Sequence, residues 1–366
     1  MKRIILIIIT LTICIIAMNG FSSDIYAEEG EAYEYQLGSE VDDVLSDYGV
    51  DYSYFDMTAL SIDEFLSKLK ESVTERINAP FRLLSSVLVI IIFASFMNNL
   101  GDGLAGKASS AELYGFICAA STAAVISSPL LEVYENTAEA MNRCGGFMTA
   151  FVPIYVGIII VSGGMVSAQL YNGITLMAAE VIVQAAESLV MPLLSMMAAL
   201  AVMGSIFPNS FIDTVTALIK KLVTLGLTLS LTLFSGFVSV KSTLGAKADG
   251  FAAKSVKLMM SGFIPVVGSA VSDAYSTVKG SFEVMRCTVG TAGTVGLVLL
   301  FLPPIIEILV FRVVMWIGAS AAEMFSVPSA SKLMKGLDNG LAIAMSILIC
   351  FGLLFIISTA VLMKAS

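Results

Sequence analysis

The sequence predicts an all-α, polytopic transmembrane helical bundle of seven or eight mature spans. Three observations predict it. The chain is 57% apolar and only 13% charged, with a mean hydropathy of +0.90, well outside the range of soluble globular domains. Apolar runs of about 20 residues, the length that crosses the hydrocarbon of a bilayer, recur along it. The acidic net charge of -9 is confined to one stretch: residues 24–79 carry 15 acids against Lys68, Lys70 and Arg76.

Taken in order, Met1-Lys2-Arg3 followed by an apolar run to Met18 and by Ile25-Tyr26-Ala27 reads as an export signal, residues 1–27, cleaved near Ala27. An uncleaved anchor is the alternative, and either one places Glu28 outside the cytoplasm. Residues 28–79 form an acidic, tyrosine-rich extracytoplasmic leader. Leu60, Phe65, Leu66, Leu69 and Val73 have helical spacing there, and Ser61 with Glu64 supplies a capping box. The leader is either a docking strip at the membrane face or a solvated extension.

The membrane domain is 80–366. Its expected spans are 83–99, 111–129, 147–163, 186–206, 222–240, 293–316 and 341–362, with an eighth at 262–278 that is less apolar. With the leader outside, the 100–110 loop is cytoplasmic, the acidic 130–142 stretch is external, and the lysines at 241, 247, 254 and 257 are cytoplasmic in keeping with positive-inside bias. Lys220 and Lys221 then fall near the outer face, against that bias. Phe151-Val152-Pro153-Ile154 and Phe263-Ile264-Pro265-Val266 echo each other, and a looser echo joins Pro208 and Lys220-Lys221 to Pro328, Lys332 and Lys335. These suggest an inverted internal repeat, 147–240 and 259–362, the architecture of many secondary transporters. Chance likeness of apolar runs with prolines is the alternative.

The chain has no histidine, so serine–histidine and cysteine–histidine hydrolases are excluded. Its five cysteines are widely separated and lack the spacing of a zinc site or disulfide framework, which makes them small apolar residues. A Walker-type loop is missing, so any energy input comes from a partner or a gradient. Nothing resembles a basic nucleic-acid surface. No catalysis and no cofactor are expected. Ionisable groups inside apolar runs face the bundle interior or a wet cavity; Glu180, Glu187, Asp273, Glu307 and Arg312 are the candidates for a polar pathway, with interfacial positions as the plainer reading. Glu307 and Arg312, five apart, are poorly phased to pair with each other. Gly145-Gly146, Gly163-Gly164 and the trio Gly290, Gly293 and Gly296 mark close helix approaches or breaks.

The stretch 236–273, with Ser239-Val240, Ala248-Asp249-Gly250, Lys257, Ile264-Pro265-Val266-Val267-Gly268 and Asp273-Ala274, then Thr277-Val278, resembles the stage III sporulation protein AE family. Pro80-Phe81-Arg82-Leu83-Leu84 is similar too, and the order of features fits over nearly the whole chain. The resemblance implies a membrane component of the complex joining mother cell to forespore, helping to form a secretion-like channel. It implies partners from the same operon, including a cytoplasmic ATPase and ring-forming proteins between the membranes, besides membrane lipid. The implied location is the mother-cell (outer forespore) membrane, leader facing the intermembrane space. It transfers no catalytic residue, so Asp249, Gly250, Lys257, Pro265, Gly268 and Asp273 are read as structural or assembly positions. A permease for a small solute is the second expectation.

Overall fold

The computed structural model describes residues 80–97, 109–207, 210–263 and 268–363. The signal, the leader and Pro265 lie outside the described residues, and so do the side chains of Glu187 and Asp273. Within them the backbone is helical throughout except at the short turns 162–164 and 325–327 and at Phe207, and no strand occurs among them. The helices are α1 (Pro80–Met97), α2 (Ser109–Val161), α3 (Met165–Ala185), α4 (Met191–Ile206), α5 (Ser210–Phe263), α6 (Gly268–Met324) and α7 (Pro328–Met363). A π-turn, Ala186–Val190, joins α3 to α4 into one continuous apolar run.

Six helices in this arrangement are long and apolar enough to cross a membrane, α3 and α4 counting as one. That count is of the described residues, and the seven or eight separate spans expected from the sequence are not confirmed among them. Expected spans 111–129 and 147–163 lie on the single 53-residue helix α2, because the polar stretch between them keeps helical periodicity instead of turning. Pro129 and Pro153 lie within α2, and Pro303 and Pro304 within α6, without ending either helix. In an apolar bundle, neighbouring helices and hydroxyls re-satisfy the backbone groups that a proline frees. Pro192, at the start of α4, lacks an N–H, and the wider π-turn before it accommodates the lost bond.

Two turns reverse the chain by the same device. Gly163, at φ 91°, ends α2 with Gly164 N–H donating to Ile159 (2.9 Å) and Gly163 N–H to Ile160 (3.0 Å). Ser326, at φ 59°, ends α6 with Val327 N–H donating to Ala322 (2.8 Å) and Ser326 N–H to Glu323 (3.1 Å), before Pro328 opens α7. This paired bonding satisfies the carbonyls left over at a helix C-terminus.

Contacts fix the helix directions. Along the antiparallel pair α6 and α7, Ser331 donates to Glu323 (3.0 Å), Arg312 pairs with Asp338, and Thr294 meets Thr359 (3.2 Å). Helix α2 runs antiparallel to α6, since Asn136 meets Glu307 while Phe151 and Tyr155 lie against Gly293 and Gly290. Helix α5 runs parallel to α7: Asp213 pairs with Lys332, Lys220 donates to Asn339 and Cys350 Sγ donates to the Leu227 carbonyl (3.5 Å).

These directions correct the expected orientation and leave the inverted repeat unsupported. Inverted copies carry equivalent helices antiparallel, whereas the stretches after Phe207 and Val327 start side by side and run the same way. Ile264, Pro265 and Val266 of the other echo lie outside the described residues. The start of α2 shares an end with the starts of α5 and α7, through Ser329 Oγ donating to the Gly115 carbonyl (3.0 Å). Asp249 lies at the opposite end, by the 162–164 turn. The lysines at 241–257 and the start of α2 therefore cannot share a side, as the sequence suggested; Lys220 and Lys221 sit at the α2-start end.

The core is a column of aromatic rings and small residues. Phe147, Phe151 and Tyr155, one helical turn apart on α2, stack at centroid distances of 5.5 Å, and Tyr171 of α3 closes edge-on at 5.7 Å. Such separations are favourable for offset and edge-to-face rings. Gly293 of α6 leaves room for the Phe151 ring, and at Gly336 of α7 an added Cβ would lie 3.1 Å from the Ala201 Cα, a backbone that cannot yield. Leu83, Val87 and Ile91 of α1, at i, i+4 and i+8, are buried, while Val89, Ile92, Phe93 and Phe96 stay exposed. Single cysteines replacing Lys254 and Lys332 are expected to label from opposite sides of sealed vesicles, read with an impermeant thiol reagent. Labelling from one side contradicts the helix directions.

Candidate functional site

The contacts above lay the apolar stretches of α5, α6 and α7 side by side as one belt, with Glu307 inside one edge of it, five residues before Arg312, whose Asp338 partner neighbours the Lys220–Asn339 contact. Ionic groups buried within a span need partners, because a charged side chain there costs up to about 2.5–3.5 kcal/mol. Glu307 is 8% exposed and accepts two hydrogen bonds from Asn136 Nδ2, at 3.1 and 3.2 Å. Arg312, one and a half turns further along α6, turns to α7. Its Nε donates to Asp338 Oδ1 at 2.7 Å and its Nη2 to Oδ2 at 3.3 Å, the two-pronged geometry suited to a guanidinium and a carboxylate. Glu307 and Arg312 thus face different helices and do not pair with each other, as their spacing suggested. Each ties α6 to a neighbour.

Towards the opposite end the belt carries hydroxyl pairs. Thr175 of α3 meets Ser358 of α7 at 3.1 Å, and Thr294 of α6 meets Thr359 of α7 at 3.2 Å, all four fully or nearly fully buried. Arg286, 4% exposed, lies at the same end of α6. Polar contacts between helices therefore recur along the length of the bundle interior.

Asp249 explains one of the motif positions. Its Oδ1 accepts from the Val166 N–H (2.9 Å) and its Oδ2 from the Ser167 N–H (3.0 Å), so a carboxylate on α5 caps the N-terminus of α3. Gly164, the residue before α3, offers no side-chain cap of its own. The cap supplies acceptors for two orphan amides and a negative charge at the positive end of the helix dipole. Nearby, Gly245 lets α5 approach α3, since an added Cβ would stand 3.1 Å from the Ser167 Cα. Beyond that level the later part of α5 meets the early part of α6 where Lys257 Nζ donates to Ser276 Oγ (3.4 Å). Gly250 meets no neighbour, and Gly268 opens α6.

Asn136 also ties its own segment of α2 to α6, so residues 130–142, expected as an external stretch between two spans, lie inside one unbroken helix. Glu132, Glu135, Glu139 and Arg143 are exposed on the outer side of α2, with Arg143 bonded to Glu139 at 2.5 Å. Helix α3 packs against α2 where Gly145 meets Val183, and there Glu180 and Gln184 are exposed as well. The outer side of α5 is the reverse: Leu218, Leu222, Leu225, Leu229, Leu233 and Phe237 are all more than half exposed. One outer face is built for hydrocarbon, and another at the same depth is polar.

Asn136 and Asp338 were the partners the sequence reading missed. The repeat of Glu132, Glu135, Glu139 and Arg143 at three- and four-residue steps was the available signal for a continuous helix through the acidic stretch. Of the cysteines, Cys118, Cys144 and Cys350 are buried and Cys287 half-buried, all as free thiols.

Two outcomes test these contacts. Asp249→Ala is expected to lower the stability of the detergent-solubilised protein by about 1 kcal/mol, while Asp249→Asn loses less; equal loss from both contradicts a capping role. For the ion pair, Arg312→Leu and Asp338→Leu each destabilise the bundle and the double variant recovers part of the loss, giving a coupling of about 1–3 kcal/mol in thermal unfolding.

No solved structure matches the chain. A curated relative from Bacillus subtilis (strain 168), named stage III sporulation protein AE, is 22% identical over 307 residues, covering 84% of this chain and 77% of the relative. A family profile described as stage III sporulation protein AE matches residues 52–366, and the chain belongs to that family.

Proposed function

We propose that this protein is a wall-forming membrane component of the complex that connects mother cell and forespore during sporulation. It resides in the mother-cell membrane around the forespore, with its acidic leader in the space between the membranes, and helps to build a secretion-like channel. The observation that carries this reading is the pair of unlike outer faces at one depth. The leucine ladder of α5 suits lipid, and the polar side of α2 and α3 suits water or other polypeptide.

Membership of a sporulation family supports the setting. The engagement of Glu307 and Arg312 in helix-to-helix pairs supports an assembly role over a solitary permease, because both groups hold helices together. The partners this reading requires are a cytoplasmic ATPase, as the source of energy, and ring-forming proteins between the membranes.

Purification of the tagged full-length protein from sporulating cells in mild detergent tests it. Co-isolation of the ATPase and ring proteins is expected, with Glu307→Leu lowering the yield of the whole complex. A lone monomer that moves a small solute in liposomes contradicts it.

A further inference from the structure

We propose that the cleft between α4, α5 and α7, at the edge of the apolar belt, binds the headgroup of an anionic phospholipid. The site stands on the chemistry of the cleft and on its depth, and it does not depend on the sporulation role.

The cleft has a volume of about 360 Å³, and two parallel helices build its walls at matching steps. Asp213, Thr216 and Lys220 of α5 face Lys332, Lys335 and Asn339 of α7, each set spaced three and then four residues along its own helix. The last turns of α4 close the third side, drawn in where Ala201 backs onto Gly336. The lining therefore carries three ammonium groups and one carboxylate.

Those ammonium groups are held loosely. Lys332 reaches Asp213 at 3.2 Å, Lys335 leans to Glu323 outside the lining, and Lys220 donates to the uncharged amide of Asn339 at 2.8 Å. Both ion pairs are partly exposed, a setting in which such pairs contribute little. An ammonium has three N–H donors, and each of these contacts takes one. A phosphodiester offers oxygens to more than one of the three, and Lys220, paired with an amide, keeps its full charge for it.

Depth identifies the source of the phosphate. Lys220 and Asn339 come just before the apolar stretches of α5 and α7, which begin at Leu222 and Leu341. From there outward to Asp213 and Lys332 is seven residues, about 10 Å at the helical rise, and the headgroup layer on one side of a bilayer is about 5–8 Å deep. Trp316, the single tryptophan of the chain, marks the same level. It lies on α6 between Arg312, bound to Asp338, and Glu323, bound to Lys335, and it is 63% exposed, as befits an anchor at the membrane–water interface. Leu218, Leu222 and Leu225, each more than half exposed, then follow one line of α5 from the cleft into the belt, a track for an acyl chain. A free phosphate gains nothing from that track. Basic clefts between membrane helices suit acidic headgroups, with the lysine stems lying along apolar surface.

The test measures binding of short-chain phosphatidylglycerol to the full-length protein in mild detergent, beside short-chain phosphatidylcholine and inorganic phosphate. Saturable binding of phosphatidylglycerol is expected, about fivefold weaker in Lys220→Gln and weaker again by a similar factor when Lys332→Gln is added. At physiological salt, Lys221→Gln, the same loss of charge outside the lining, leaves binding within about twofold. Lys220→Arg keeps the charge and retains binding, which separates loss of the site from loss of the fold. Undiminished binding in Lys220→Gln, or equal weakening by Lys221→Gln, overturns the site. Phosphatidylcholine bound as tightly as phosphatidylglycerol overturns recognition of charge, and inorganic phosphate bound as tightly as the lipid overturns a lipid as the occupant.

Discussion

The contact on which the bundle's architecture turns is the one between Glu307 and Asn136, a carboxylate and an amide meeting across two helices inside the edge of an apolar belt. A group of this kind, buried without a partner, costs more than the pair contributes, so each side constrains the other. Because the pair needs α2 and α6 at one register, it sets the depth of everything else on α2. The aromatic column below it and the Arg312–Asp338 pair beyond it keep that register.

From that register the two outer faces follow. Helix α2 turns Tyr134, Met141 and Phe147 into the core, so its remaining side has to be the polar one. Helix α5 packs chiefly against α3 and α7 and turns leucines outward. The assembly role we propose rests on this sidedness.

Much of the fold was legible in the sequence: helical character from the apolar runs, and glycines marking close approaches or breaks, which the structure resolves into approaches at Gly145, Gly290 and Gly293 and a helix break at Gly163-Gly164. The sporulation family was legible as well, from short polar motifs in an apolar background. The helix count was not. Glu132, Glu135 and Glu139 read as an external stretch between two spans because polarity outweighs periodicity when no partner is in view, yet their spacing kept the helix intact. Nor was the partner of Arg312 legible, since Asp338 lies 26 residues away on an element whose direction only the Ser326 turn sets. The role of Asp249 was invisible for the same reason: it caps a helix that begins 84 positions earlier in the chain.

Joining Asn136→Cys to Glu307→Cys in the full-length protein, in native membranes, tests the account most directly. The account predicts that a short bifunctional thiol reagent links the two positions within one chain, giving fragments that stay together after cleavage between them. Failure to link, with Asn136→Cys freely labelled beside the extracytoplasmic leader, would mean that the acidic stretch is an external loop and that α2 is two separate spans.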